Sequence, residues 1–355
     1  MGMKNVNRPI IVAGPCSVEN KEQLQRVTED LCRIQTVQMI RGGVWKPRSR
    51  PGGFEGLGEP ALQWMKEIQE STLRMADGRA VRFCCEVARP EHVALCQQYG
   101  IENIWLGART TANPFMVEEI CESLRGSNLM VMVKNPVSPD VKLWLGAIER
   151  VEKAGITKIA AIHRGFNMYD NHGYRNEPLW EVPMELHRQM PEVPLLCDPS
   201  HIAGRADLVD KVAHAAMLLD FDGLMVEVHP SPADALTDAQ QQLTPSALRT
   251  LLKQLQSSPE RNATDATGNV ALLRKKIDEV DRELLLTLSK RMALSRQMAE
   301  VKRSQQMSVY QPKRWDELLL DRMKQAADMG LEPAFIKELF EKIHGESVRI
   351  QINEK

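Results

Sequence analysis

Short apolar runs recur along the first two-thirds of the chain, with helically spaced apolar positions between them. The runs that predict strands are residues 10–14, 37–40, 81–85, 103–106, 129–133, 158–162, 194–197 and 224–228. Strand-length runs alternating with amphipathic stretches are the pattern of repeated βα units. Eight such units fit a (β/α)8 TIM barrel. An open doubly wound sheet fits less well, because it would want a Gly-rich dinucleotide turn after the first strand, where the sequence reads GPCS. The expected class is α/β over residues 1–256, closing with a barrel helix at 245–256. The stretch SSPERNATDATGN is polar, lacks apolar periodicity and predicts a linker over 257–268. After it Val270, Leu273, Ile277, Val280, Leu284 and Leu288 recur at helical spacing to about residue 303. Two further helices are expected from about 312 to 329 and from about 333 through 351. Residues 269–355 should thus form a small all-α three-helix domain. Alone, such a unit leaves much apolar surface uncovered, which predicts a homodimer made through it.

The polar residues at the strand ends change the picture from fold to chemistry. In order they are Cys16, Arg41 with Lys46, Glu86, Arg109, Lys134, Arg164, His201 and Glu227. A parallel barrel brings these ends to one face. Taken singly, Cys16 reads as core and Arg109 or Arg164 as surface charge; arriving together at one rim, they read as a site. Arg41, Lys46, Arg48, Arg109, Lys134 and Arg164 put about six positive charges there. So many cations call for a substrate pair bearing several phosphate and carboxylate groups. The segment RGGVWKPRSRPGGFEGLGEP is glycine-rich, so its backbone N–H groups can approach a phosphate closely. Lys46, Arg48 and Ser49 inside it favour that role over an ordinary lid. His201, Glu227 and Asp238 form a mixed imidazole and carboxylate set suited to Mn, Fe, Co or Zn. The competing reading is of polar residues scattered at strand ends.

Composition narrows the class. The 355 residues carry a net charge of −1, so no general polyanion-binding surface, and hence no nucleic-acid partner, is expected. Seven cysteines without a CxxC pair predict reduced thiols in a cytoplasmic protein. No apolar run approaches the roughly 18 residues of a membrane span, and MGMKNVNRP lacks a signal-peptide core. The barrel is expected to begin almost at residue 1, leaving no room for an N-terminal regulatory domain.

GPCS, RGGVWKPRS, the GAR ending at Arg109, the lysine of VMVKN, HRG, DPSH and VEVHP…LTD together resemble the 3-deoxy-D-arabino-heptulosonate 7-phosphate (DAHP) synthase family, from Pro9 to about Leu255. The resemblance implies condensation of phosphoenolpyruvate with erythrose 4-phosphate. It also implies one divalent metal ion (Mn, Fe, Co or Zn) held by Cys16, His201, Glu227 and Asp238. Arg41 and Lys134 would clamp the phosphoenolpyruvate carboxylate, with Arg109 and Arg164 on its phosphate. Arg48 and Ser49 of KPRS would take the phosphate of erythrose 4-phosphate. A sister enzyme that uses arabinose 5-phosphate has a different run after the lysine. Lys46 and Glu86 are candidates for proton transfer and for orienting water; Glu86 serves equally as a salt-bridge partner of the arginines.

The C-terminal helices carry a second resemblance. Arg291 and Lys302 are eleven apart, so they share one helix face within about 20°. Arg274 lies about 25 Å before Arg291 along the helix and about 100° round its axis, so it does not easily serve the same pocket within one chain, whereas a partner chain could bring it there. Ser347 and Gln351 are four apart and face together. ALLRKKIDEVDRELL, SKRM, AEVKR, PKRW and SVRIQ resemble the all-helical chorismate mutase family. By that likeness Arg291 and Arg314, with Arg274 of the other subunit, would bind substrate carboxylate. Lys302 and Gln351 would bracket the ether oxygen as chorismate rearranges to prephenate. Some members have an acidic residue at the positions of Gln311 and Trp315, in contact with the substrate hydroxyl. The expectation is a bifunctional enzyme whose helical domain also acts as a sensor, binding prephenate or chorismate as an inhibitor that restrains the barrel. One alternative is a DAHP synthase whose helical domain only dimerises and binds an effector. The other is a barrel that is a different phosphoenolpyruvate-condensing aldolase.

Overall fold

The structure is a computed structural model describing residues 9–46, 52–169, 173–257 and 267–353. It divides into two compact units, Met1–Ser258 and Pro259–Lys355. In the first, strands β1 (Ile10–Gly14), β2 (Val37–Arg41), β3 (Phe83–Val87), β4 (Asn103–Leu106), β5 (Met130–Lys134), β6 (Lys158–His163), β7 (Leu195–Cys197) and β8 (Gly223–Glu227) pair in sequence order. Every pairing is parallel, and β8 closes on β1 to complete the barrel. Helices α1 (Lys21–Cys32), α2 (Glu59–Glu70), α3 (Pro90–Gln98), α4 (Ala108–Thr111), α5 (Pro114–Leu124), α6 (Val141–Lys153), α7 (Glu181–Gln189), α8 (Pro199–Ala203), α9 (Ala206–Leu218) and α10 (Pro245–Ser257) fill the crossovers and the final return.

The strands are apolar along most of their length because both faces are covered, one by the helices and one by the barrel interior. The exposed Asn20, Asn113 and Asp140 side-chain oxygens cap α1, α5 and α6, so these three helices start at a residue built to accept their first free N–H groups. Two strands differ usefully from the expected bounds. The third starts at Phe83 rather than 81, because residues 74–80 first turn back in an antiparallel bridge, Arg74 with Ala80. The second runs one residue further, to Arg41, so that arginine is a strand residue inside the barrel mouth.

Close approach fixes two glycines. A Cβ on Gly14 would lie 2.1 Å from the Arg41 carbonyl oxygen, so glycine lets β1 and β2 meet just below the rim. A Cβ on Gly107 would lie 2.1 Å from Glu86 Oε1, so this glycine makes room for the Glu86 carboxylate.

The second unit consists of α11 (Thr267–Ser304), α12 (Pro312–Asp328) and α13 (Pro333–Asn353). The stretch read as a linker is shorter at both ends, since α10 runs through Ser257 and α11 starts at Thr267. Ala299, Ala326, Ile336 and Ser347 are buried where α13 packs on its two neighbours. Leu273, Ile277, Val280 and Leu284 recur on one face of α11 and are each more than half exposed. Among the described residues no helix is long and apolar enough to cross a membrane.

Candidate functional site

The barrel geometry carries its charges inward at one end. In the β1–β8 register Gly14 lies opposite Glu227, which puts Cys16, two residues on, beside the last residue of β8. Asp238 reaches the same place from the loop after β8, in a left-handed conformation (φ 47°) that a non-glycine residue adopts at a cost. The Cys16 Sγ, one Glu227 oxygen and one Asp238 oxygen lie within 4.8 Å of one another. His201 stands on the short helix α8, whose N-terminus is capped by Asp198 accepting from the His201 N–H at 3.1 Å. Its Nε2 lies 3.7 Å from Glu227 Oε1, and its Nδ1 lies 2.8 Å from Asp198 Oδ2.

The cations interleave with these acids. Arg41 is buried, 3.1 Å from Glu227 Oε1 through one guanidinium nitrogen, while its other terminal nitrogen is buried without a hydrogen bond. Lys134 donates to Asp198 Oδ2 at 2.7 Å. Trp105 lies between them, with the Arg41 guanidinium 5.0 Å and the Lys134 ammonium 5.8 Å from its ring. Lys46 donates to Cys16 Sγ at 2.9 Å, and Arg164 donates to Asn176 Oδ1 at 2.6 Å. Glu86 accepts from the Trp105 indole N–H at 3.1 Å. Arg109 is exposed on α4 at the same rim, close enough to weaken the Arg164 proton's hold. Arg48 and Ser49 lie outside the described residues.

Burial and charge set the protonation states. Burial, then the Glu227 carboxylate, pushes the Cys16 thiol up to about 12 against the pull of Lys46. Burial would raise Glu227, but His201, Arg41 and Lys46 outweigh it and hold the carboxyl below its usual range. Burial likewise fails to raise Asp238, where Arg175 and Lys46 dominate. Burial lowers His201, so its ring is neutral at pH 7 and able to ligate. Arg164 falls to about 10 through burial and the neighbouring Arg175 and Arg109, and stays charged.

The reading of strand ends did not single out Asp198, Arg175, Asn176 or Gln241. Arg175 donates to Asp238 Oδ1 at 3.0 Å, Asn176 donates to the His201 carbonyl at 2.7 Å, and Gln241 donates to Glu227 Oε2 at 2.7 Å. Only Asp198 left a sequence signal, an Asp-Pro opening a helix.

In the helical unit Arg291 donates to Ser347 Oγ and, at 3.5 Å, to the Ile343 carbonyl. Lys302 donates to the Val309 carbonyl at 2.6 Å. His344 stacks on Trp315 with ring centroids 4.0 Å apart, and burial, Arg291 and Lys302 together lower its pKa. Gln351 Oε1 and His344 Nε2 are buried without hydrogen-bond partners. Arg274 is exposed far along α11, and Arg314 is exposed 3.9 Å from Glu317. One chain thus gathers Arg291, Lys302, His344 and Ser347, with Gln351 a turn beyond, and leaves Arg274 outside.

Comparison with known proteins assigns the two units separately. The family model described as the DAHP synthetase I family matches residues 4–263, and that described as chorismate mutase type II matches residues 273–352. A phospho-2-dehydro-3-deoxyheptonate aldolase of Thermotoga maritima is 32% identical over 259 residues, 73% of this chain and 70% of that one. A crystal structure of a Thermotoga maritima protein of that name superposes with a TM-score of 0.60 at 30% identity, covering 70% of this chain and 68% of the other. A 4-amino-4-deoxychorismate mutase of Streptomyces pristinaespiralis is 30% identical over 93 residues, 26% of this chain and 72% of its own. The chain belongs to the DAHP synthetase I family and joins to that barrel a chorismate mutase type II domain, two shikimate-pathway enzymes on one polypeptide.

Proposed function

We propose that the barrel condenses phosphoenolpyruvate with erythrose 4-phosphate to give DAHP and phosphate, and that the helices rearrange chorismate to prephenate. The observation that carries the first half is the convergence of Cys16, His201, Glu227 and Asp238 in the mouth that also holds Arg41, Lys46, Lys134 and Arg164. A thiol, an imidazole and two carboxylates fit a divalent Mn, Fe, Co or Zn ion. The buried Glu227 Oε1, ion-paired with Arg41 but accepting no well-aligned hydrogen bond, supports that fit. Bound there, the ion supplies Lewis-acid polarisation of the aldehyde carbonyl.

The protein's own groups do the rest. Arg41 has its unpaired guanidinium nitrogen, and Lys134 two ammonium hydrogens beyond the one given to Asp198, to hold the phosphoenolpyruvate carboxylate. Arg164 and Arg109 face its phosphate and offset charge on the departing group. Held this way, carbon 3 of phosphoenolpyruvate attacks the aldehyde carbon, and water adds at carbon 2 before phosphate leaves. Lys46 moves a proton at the forming alkoxide. Glu86, fixed by Trp105, orients the water. Arg48 and Ser49 take the aldose phosphate. Phosphate release from phosphoenolpyruvate with erythrose 4-phosphate, compared with arabinose 5-phosphate, tests the assignment. Preference for the five-carbon sugar would overturn it.

In the helices, Arg291 and Arg314 hold substrate carboxylate with Arg274 of a second copy, and Ser347 supports Arg291. Lys302 and Gln351 flank the ether oxygen and stabilise charge growing there. Trp315 cannot supply a carboxylate, so the substrate hydroxyl is left to Gln311 and to the unpartnered His344 Nε2 beside that indole. The exposed Leu273, Ile277, Val280 and Leu284 stripe supports a homodimer through this unit. Seven free cysteines support a cytoplasmic setting. Prephenate bound to the helices restrains the barrel; an unchanged synthase rate in saturating prephenate would end that part of the reading.

A further inference from the structure

Arg175 and Gln241 carry no role in the scheme above, yet between them they hold both carboxylates of the ligand cluster. The Arg175 guanidinium donates through one nitrogen to Asp238 Oδ1 at 3.0 Å and to Gln241 Oε1 at 2.5 Å. The Gln241 amide, only 1% exposed, donates to Glu227 Oε2 at 2.7 Å. In each carboxylate the held oxygen is the one turned away from the cluster. The other Asp238 oxygen, Oδ2, lies 3.1 Å from Cys16 Sγ, and the other Glu227 oxygen, Oε1, lies 3.7 Å from His201 Nε2.

The bridge is itself well anchored. Arg175 N–H donates to the Ile202 carbonyl at 3.0 Å, one residue past His201. Gly204 leaves the room this needs, since a Cβ there would lie 2.4 Å from Arg175 Cβ. Arg175 is 45% exposed at its side chain and lines an open cavity of about 560 Å³ with Tyr174, Arg205 and Gln240, and Asp238 and the buried Gln241 stand in the wall of the same cavity. The pair to Arg175 also steadies Asp238 in its left-handed backbone conformation.

We infer that Arg175 and Gln241 are positioning residues that hold one oxygen of Asp238 and one of Glu227 outward, so that each carboxylate presents a single oxygen to a divalent ion. The inference rests on the cluster being a metal site. Single-oxygen carboxylates beside a thiol and an imidazole suit a small transition ion of low coordination number. Carboxylates free to offer both oxygens suit the larger, oxygen-seeking calcium ion. The bridge therefore sets metal preference as well as affinity, in the manner of hydrogen-bonded partners behind metal ligands.

The test uses the full chain freed of metal and titrated with cobalt(II), following the visible absorption of the thiolate–cobalt centre, and with calcium in competition. Arg175→Met is expected to weaken cobalt binding by about 10–100-fold and to narrow the cobalt-over-calcium preference. Gln241→Met should shift both in the same direction. The double variant should lose less than the product of the two single losses, because the residues act through one network. Arg175→Lys should recover part of the cobalt affinity. Wild-type affinity in an Arg175→Met protein whose unfolding midpoint is unchanged overturns the inference. If that variant does not fold, an unshifted cobalt-to-calcium ratio in Gln241→Met overturns it instead. A wild-type chain that binds no cobalt, or binds it without a sulfur-to-cobalt band, removes the metal reading beneath it.

Discussion

The barrel mouth and the helical pocket solve the same problem, holding several charges together, in opposite ways. In the barrel, three of the cations meet a carboxylate, a ring or a thiol supplied from a distant part of the same chain. Arg41 meets Glu227 and Trp105, Lys134 meets Asp198, and Lys46 meets Cys16. Removing one partner of such a buried pair costs about 3–5 kcal/mol, so the arrangement is tightly determined by one fold. In the helices two of the cations meet hydroxyl and carbonyl groups, Arg291 with Ser347 and Lys302 with the Val309 carbonyl. Arg274 stays far off, and an apolar stripe lies bare beside it. On the proposed reading the barrel site draws its groups from one chain, while the helical site takes Arg274 from a second copy.

The contrast breaks most visibly at the ligand cluster. Cys16→Ala should lower DAHP formation by about 10³-fold or more while leaving chorismate turnover unchanged, both read on the same preparation. Conversely, Lys302→Ala should lower chorismate turnover by about 10²–10³-fold and leave phosphate release from the barrel alone. Leu284→Glu sharpens the difference in completeness. It should weaken self-association in sedimentation velocity and cut mutase rate at low protein concentration, with a smaller effect on the synthase.

The smallest effect concerns His163, which ends β6 buried among Trp144, Phe166, Trp180 and Phe221. Burial holds its pKa down at about 3, against about 6.5 in an unfolded chain. Between those values the unfolded state binds the extra proton, so barrel stability falls as pH drops, by up to about 1.4 kcal/mol per pH unit from this group. Above about 6.5 the contribution is constant. Urea midpoints of His163→Phe against pH should show a shallower acid slope than the wild type; parallel slopes would contradict the assignment.

Much of the barrel was legible because strands buried on both faces must be apolar until they emerge. A polar residue ending such a run therefore announces the rim, as Arg41, Lys134 and Glu227 do. What surrounds those residues was not legible. Arg175, Asn176 and Gln241 act on partners 63, 25 and 14 positions away, and in sequence a glutamine of AQQQL looks like any surface residue. The start of β3 was misplaced for a similar reason, since the bridge from Arg74 to Ala80 is a pairing that no strand-length run marks. The helical unit showed its three helices through apolar spacing, yet the Trp315–His344 stack joins two helices and has no local signature.

The most direct test of two separate sites, one needing metal and one not, is to chelate the intact chain exhaustively and assay both reactions on that sample. The account predicts that phosphate release from phosphoenolpyruvate and erythrose 4-phosphate stops and returns with manganese or cobalt, while chorismate consumption continues at its original rate. Undiminished phosphate release after metal analysis shows the protein bare would contradict it.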